Sequence, residues 1–198
     1  MEAVKDYFVG LFSGGPLQIT GQICGLVAMV IAIVSFQMKT QKTIVLLQLF
    51  SSFLFSLQFV FLGAYMGMML NVLSVVRSVI FSQRTTKKWA AGKIWILVFC
   101  IAFITTYPVI FLVFKKEPTV FNLIIELLPA LGMVASTFAF HAEKAKYVRL
   151  LYLISSPPWL AYNIANGAFG GMINEVVVMI SIILAIIRLD IGKKSPGK

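Results

Sequence analysis

The chain has 198 residues, 60% of them hydrophobic and 12% charged, and a mean hydropathy of +0.94. A water-soluble domain of this size cannot hide so much apolar surface, so lipid is the expected solvent. The net charge of +10 does not point to nucleic acid, because the 17 basic residues fall between apolar runs and form no continuous face.

In chain order, residues 1–15 place Ala3, Val4, Tyr7, Phe8, Leu11 and Phe12 on one helical face before Ser13-Gly14-Gly15-Pro16 ends the pattern. That arrangement predicts a short amphipathic helix lying in the membrane interface. No cleavable leader is expected, since this start has mixed charge and no basic region ahead of a short apolar core. Seven stretches then approach the roughly 20 apolar residues needed to cross a bilayer. They are 19–38, 43–62, 65–83, 94–114, 121–141, 147–165 and 169–188. Gly63-Ala64 separates the second from the third, and Asn166-Gly167-Ala168 the sixth from the seventh, as suits hairpins at the membrane surface.

Basic residues set the orientation. With the N-terminus outside, Lys39, Lys42, Arg84, Lys87, Lys88, Lys93, Lys144, Lys146, Arg149, Arg188, Lys193, Lys194 and Lys198 are cytoplasmic, against Lys5, Lys115 and Lys116 outside. Seven crossings agree with this, because an odd number puts the termini on opposite sides and the basic tail 191–198 in the cytoplasm.

An internal repeat organises the spans. Shifted by 104 residues, positions 22–84 lie over 126–188 without a gap, and 15 of the 63 pairs are identical. Ser51-Ser52 falls on Ser155-Ser156, Gly63-Ala64 on Gly167-Ala168, Gly67-Met68 on Gly171-Met172, Lys42 on Lys146 and Arg84 on Arg188. Each repeat (19–84 and 121–190) holds three spans, and the fourth span, within 92–115, links them. Spans one and five are four crossings apart, so the repeats point the same way. The expected fold is all-α and membrane-embedded, two parallel three-helix bundles plus a linker helix, as in SWEET-type transporters.

Several motifs carry a family resemblance. Asn71 followed by Arg77, Glu126-Leu127-Leu128-Pro129, Trp159 with Asn163, and Gly170-Gly171-Met172 ahead of Glu175 together resemble the YgjV-type family of bacterial inner-membrane proteins. The resemblance implies a multi-pass bacterial inner-membrane location and a relation to the SWEET and PQ-loop group. It implies no reaction. Pro157-Pro158 stands where the first repeat has Phe53-Leu54, and the chain has no Pro-Gln dipeptide.

Ionisable groups inside spans are costly and mark function or pairing. Arg77, Glu126 and Glu175 stand out. Asn71 and Glu175 are equivalent under the repeat, each about six residues, or roughly 9 Å, into its span. Asn71, Ser74 and Arg77 share one slowly drifting helical face. By the resemblance, polar residues of the third and seventh spans line a substrate pocket, which carries over to Asn71, Asn174 and Glu175, with Arg77 as an addition. Arg77 and Glu175 alternatively neutralise each other as a static pair. Trp159 and Asn163 can stack on and hydrogen-bond a solute. Glu175 and Glu126 are candidates for proton coupling, and Glu126 equally for a carboxylate held by a helix N-terminus. Pro129, Pro157 and Pro158 are hinge candidates or ordinary kinks, and Pro108 a packing kink. The serine pairs suit close helix contact, and His141 reads as a lone surface histidine.

No metal-ligand cluster, nucleotide loop or nucleophile elbow is present in the sequence, so no catalytic residue, metal or cofactor is expected. Two functions remain. One is an alternating-access carrier of a small polar or anionic solute. The other is a non-transporting receptor, assembly factor or structural partner of the same fold. The lipid bilayer is the expected partner, and an oligomer is allowed but not required.

Overall fold

A chain this apolar must satisfy its backbone polar groups within helices, since lipid offers them no partner. The computed structural model describes residues 2–36, 41–83, 86–141 and 145–187, and over these it is helical with short connections and no strand. A short α1 (Glu2–Gly10) precedes seven long helices. These are α2 (Pro16–Phe36), α3 (Gln41–Phe61), α4 (Tyr65–Ser82), α5 (Ile94–Leu112), α6 (Val120–His141), α7 (Ala145–Ala165) and α8 (Phe169–Ala185), with a 3-10 turn at Lys88–Ala91. Lys39, Arg84, Lys144, Arg188 and the tail 191–198 lie outside the described residues, as do the side chains of Ala3, Val4, Lys42, His141 and Lys146.

The long helices match the seven expected stretches closely. By length and composition, Pro16–Ser35, Tyr65–Ser82, Ile94–Leu112 and Val120–Ala139 suffice to cross a membrane, while Val45–Phe61 and Phe169–Leu184 are shorter apolar segments. α7 carries Ser155, Ser156, Asn163 and two prolines along its length. Those three polar residues are buried, so they face protein instead of lipid. Apolar side chains cover the outside, as with Val72, Val76 and Val79 on α4 and Ile180, Ile183 and Leu184 on α8.

Consecutive packing of α2, α3, α4, α6, α7 and α8, with α8 returning to α2, closes a six-helix ring. α5 packs against α4 and α6. It buries Phe99, Phe103 and Ile110 and exposes Ile94, Leu97, Ile101 and Ile104. The rings of Phe59, Trp159 and Tyr162 join Met66, Leu70 and Phe103 in the main apolar cluster.

Local geometry recurs at the same 104-residue offset as the sequence. The Ser51 hydroxyl donates to the Ala28 carbonyl at 2.9 Å, and that of Ser155 to the Gly132 carbonyl at 2.7 Å (155 − 51 = 132 − 28 = 104). In the α3–α4 and α7–α8 turns, Gly63 and Gly167 take φ of +68° and +63°, a left-handed conformation that glycine adopts without steric cost. The next residue closes each turn alike: Ala64 N–H donates to Phe59 and Ala168 N–H to Asn163, both at 2.9 Å.

Helix α1 is tied to the bundle. Its Tyr7 hydroxyl donates to the Ile164 carbonyl at 2.7 Å, and Phe8 and Phe12 meet Phe169 edge-on. Leu11 just beyond it is buried. The amphipathic face is therefore seated on the α7–α8 turn. Pro108, Pro129, Pro157 and Pro158 all sit inside helices that continue through them.

Candidate functional site

The ring encloses a cavity of about 100 Å³, room for a few waters or one small solute. All seven residues expected to bind solute line it: Asn71, Ser74, Arg77, Trp159, Asn163, Asn174 and Glu175. Glu126, Pro129, Pro157 and Pro158 do not.

The wall is built twice over. Eight pairs of lining residues stand 104 positions apart: Ala32/Ser136, Gln48/Tyr152, Ser51/Ser155, Ser52/Ser156, Phe55/Trp159, Phe59/Asn163, Asn71/Glu175 and Ser74/Val178. Gln48, Ser51, Ser52, Phe55 and Phe59 follow each other at helical spacing on one face of α3, and α7 repeats the face at 152, 155, 156, 159 and 163. Sequence reasoning missed Gln48, Tyr152 and Ser136 and read the serine pairs only as contact points. The stripe through the serines was the available signal. The serines do both tasks, because each hydroxyl at 51 and 155 clasps a neighbouring helix at the cavity edge.

Arg77 is 2% exposed, yet its guanidinium makes several hydrogen bonds. Nη1 donates to Thr137 Oγ1 (2.8 Å), Ser136 Oγ (3.0 Å) and the Met133 carbonyl (3.4 Å), and Nη2 to Ser74 Oγ (3.0 Å). The group also lies over the Phe103 ring, 5.3 Å from its centre. Arg77 thus straps α4 to α6 and α5 at one side of the cavity. Glu175 is hydrogen-bonded by Asn174 (3.3 Å) and by Ser156. Among the described residues, Glu175 makes no ion-pair contact with Arg77. Glu126, 1% exposed, pairs instead with Lys116 in the α5–α6 connection.

The hairpin end of the cavity is closed. Tyr162 Oη accepts from the Gly67 N–H at 2.8 Å, and the Phe59 ring packs beside Trp159 and Tyr162. Gln22 donates to the carbonyls of Gly167 (2.8 Å) and Leu11 (3.2 Å). Its Oε1 accepts from the Phe169 N–H (3.1 Å) and Gln58 Nε2 (3.2 Å). These bonds join α2 and α4 to α7 and α8, across the two sequence repeats.

The model of the Imp-YgjV family, bacterial inner membrane proteins, matches residues 19–193. The chain belongs to this family. No curated protein and no solved structure gives a significant match. As an Imp-YgjV member the protein is a bacterial inner-membrane protein, and several residues of the motifs quoted for that resemblance, though not Glu126-Leu127-Leu128-Pro129, meet inside the fold. Asn71, Arg77, Trp159, Asn163, Gly171 and Glu175 all line the cavity. Among the described residues no three of His, Cys, Asp and Glu gather as metal ligands.

Proposed function

We propose that the protein carries a small polar solute across the bacterial inner membrane by alternating access. Seven crossings, the N-terminus outside, form two parallel three-helix units joined by α5, a SWEET-like 3+1+3 plan. The observation that carries this reading is the wall of equivalent positions from both repeats around one polar cavity. Such a site lies where one half can rock against the other. Closure at the hairpin end, which the basic residues place outside, makes the described form the inward-facing or occluded one.

The test needs no substrate. In a background of Cys24→Ala and Cys100→Ala, Ser52→Cys is exposed to a membrane-impermeant thiol reagent in intact cells and in inverted vesicles. Labelling is expected from both sides and faster in inverted vesicles. Absence of labelling from either side, there and at Asn71→Cys, would replace the carrier with a static protein whose Arg77 strap serves packing alone.

A further inference from the structure

We infer that the solute this cavity recognises is a small organic cation bearing N–H donors, a protonated amine, an inference that rests on the carrier reading above. Several of the donors around the cavity are engaged within its own wall. Arg77 is turned into Ser74, Ser136, Thr137 and the Met133 carbonyl. The hydroxyls of Ser51, Ser136 and Ser155 donate to backbone carbonyls of Ala28, Met133 and Gly132. The amide nitrogens of Gln48, Asn71 and Asn174 donate to Ser35 Oγ, the Gly67 carbonyl and Glu175.

The acceptors stand differently. Asn163 Oδ1 and Asn174 Oδ1 are buried with no hydrogen-bond partner, in residues 2% and 9% exposed. Beside Asn174 the Glu175 carboxyl group adds further acceptor capacity. A buried acceptor is costly to leave unmade, so these oxygens call for donors from within the cavity. An anionic solute would bring only more acceptors. A cation brings donors, and the rings of Phe55, Phe59, Tyr152 and Trp159 along the same wall attract it electrostatically. Arg77 repels it from the side of Ser74 and Ser136, which leaves the Asn163–Asn174–Glu175 side as its seat. This reverses the expectation that Arg77 selects an anion.

The probe is protection of Ser52→Cys, again with Cys24→Ala and Cys100→Ala, in purified full-length protein in lipid nanodiscs. Its rate of modification by a charged methanethiosulfonate is followed with ethylammonium, trimethylammonium, ethanol or acetate at equal concentration. The ammonium ions are expected to slow the reaction at least threefold, with ethanol and acetate inert. Glu175→Gln should raise the half-protecting concentration at least tenfold. Asn163→Leu serves as the second variant where Glu175→Gln misfolds by gel filtration. Protection by acetate or ethanol instead, or rapid labelling that no probe slows, overturns the cation while leaving the carrier intact. A thiol that reacts neither at position 52 nor in Asn71→Cys overturns both.

Discussion

Single atoms decide how closely the helices approach. A Cβ built on Gly170 would lie 2.3 Å from the backbone carbon of Gly25 and 2.7 Å from the nitrogen of Leu26, so α8 touches α2 through bare backbone. Helices in lipid gain their association from such contact, because burial of apolar surface adds little there. Backbone cannot rotate away as a side chain can. Gly170→Ala is therefore expected to cost at least the ~1–3 kcal/mol of ordinary overpacking and to lower the unfolding temperature in detergent clearly. Gly92→Ala is the control, since its new methyl would meet nothing nearer than 3.6 Å. Equal unfolding temperatures for the two variants would show that α2 and α8 are not in backbone contact. Arg77 makes the complementary point about a large residue. Its fork addresses two helices at once, Nη1 the oxygens of α6 and Nη2 Ser74 Oγ of α4, which the point charge of lysine cannot copy.

At the scale of helices, the hairpin end acts as a gate in the carrier reading. Gly67 lies in the first turn of α4, where N–H groups lack intrahelical partners, and the Tyr162 phenol of α7 supplies one. Tyr162→Phe strands that buried N–H at a cost of about 1–3 kcal/mol, which falls only on the closed form. Since 1.4 kcal/mol is about tenfold, labelling of Ser52→Cys from outside should quicken by roughly five- to 150-fold. An unchanged outside rate, with Gln22→Leu equally silent, would mean that this end does not open. The helices themselves were legible because apolar runs and glycine turns are local signals, and the 104-residue offset placed Asn71 opposite Glu175 in advance. The gate was not legible. Gln22 meets Gly167 across 145 positions, and no periodicity in one segment announces a partner in another. For the same reason the contacts of Arg77 with Ser136 and Thr137 of α6 could not be read from α4 alone. Likewise the contacts of α1 with the α7–α8 turn, through Tyr7 and Phe169, could not be read from residues 1–15 alone.

For the whole molecule, the two halves share geometry and differ in chemistry. Their serine hydrogen bonds and turns superpose in register, yet the unpartnered acceptors Asn163 and Asn174 belong to the second half. Their equivalents in the first are Phe59 and Leu70, which can accept nothing (163 − 59 = 174 − 70 = 104). A symmetric cavity would be indifferent to which half holds the carboxylate. Exchanging Asn71→Glu with Glu175→Asn keeps the cavity's composition and charge and tests that indifference. The exchange variant is expected to fold and to admit thiol reagent at position 52, while ethylammonium protects at least tenfold less well. The reason is that the transferred carboxylate would sit beside Leu70, away from the Asn163–Asn174 oxygens that complete the seat. Full recovery of protection would show that net charge alone recognises the solute and that the two halves are chemically interchangeable.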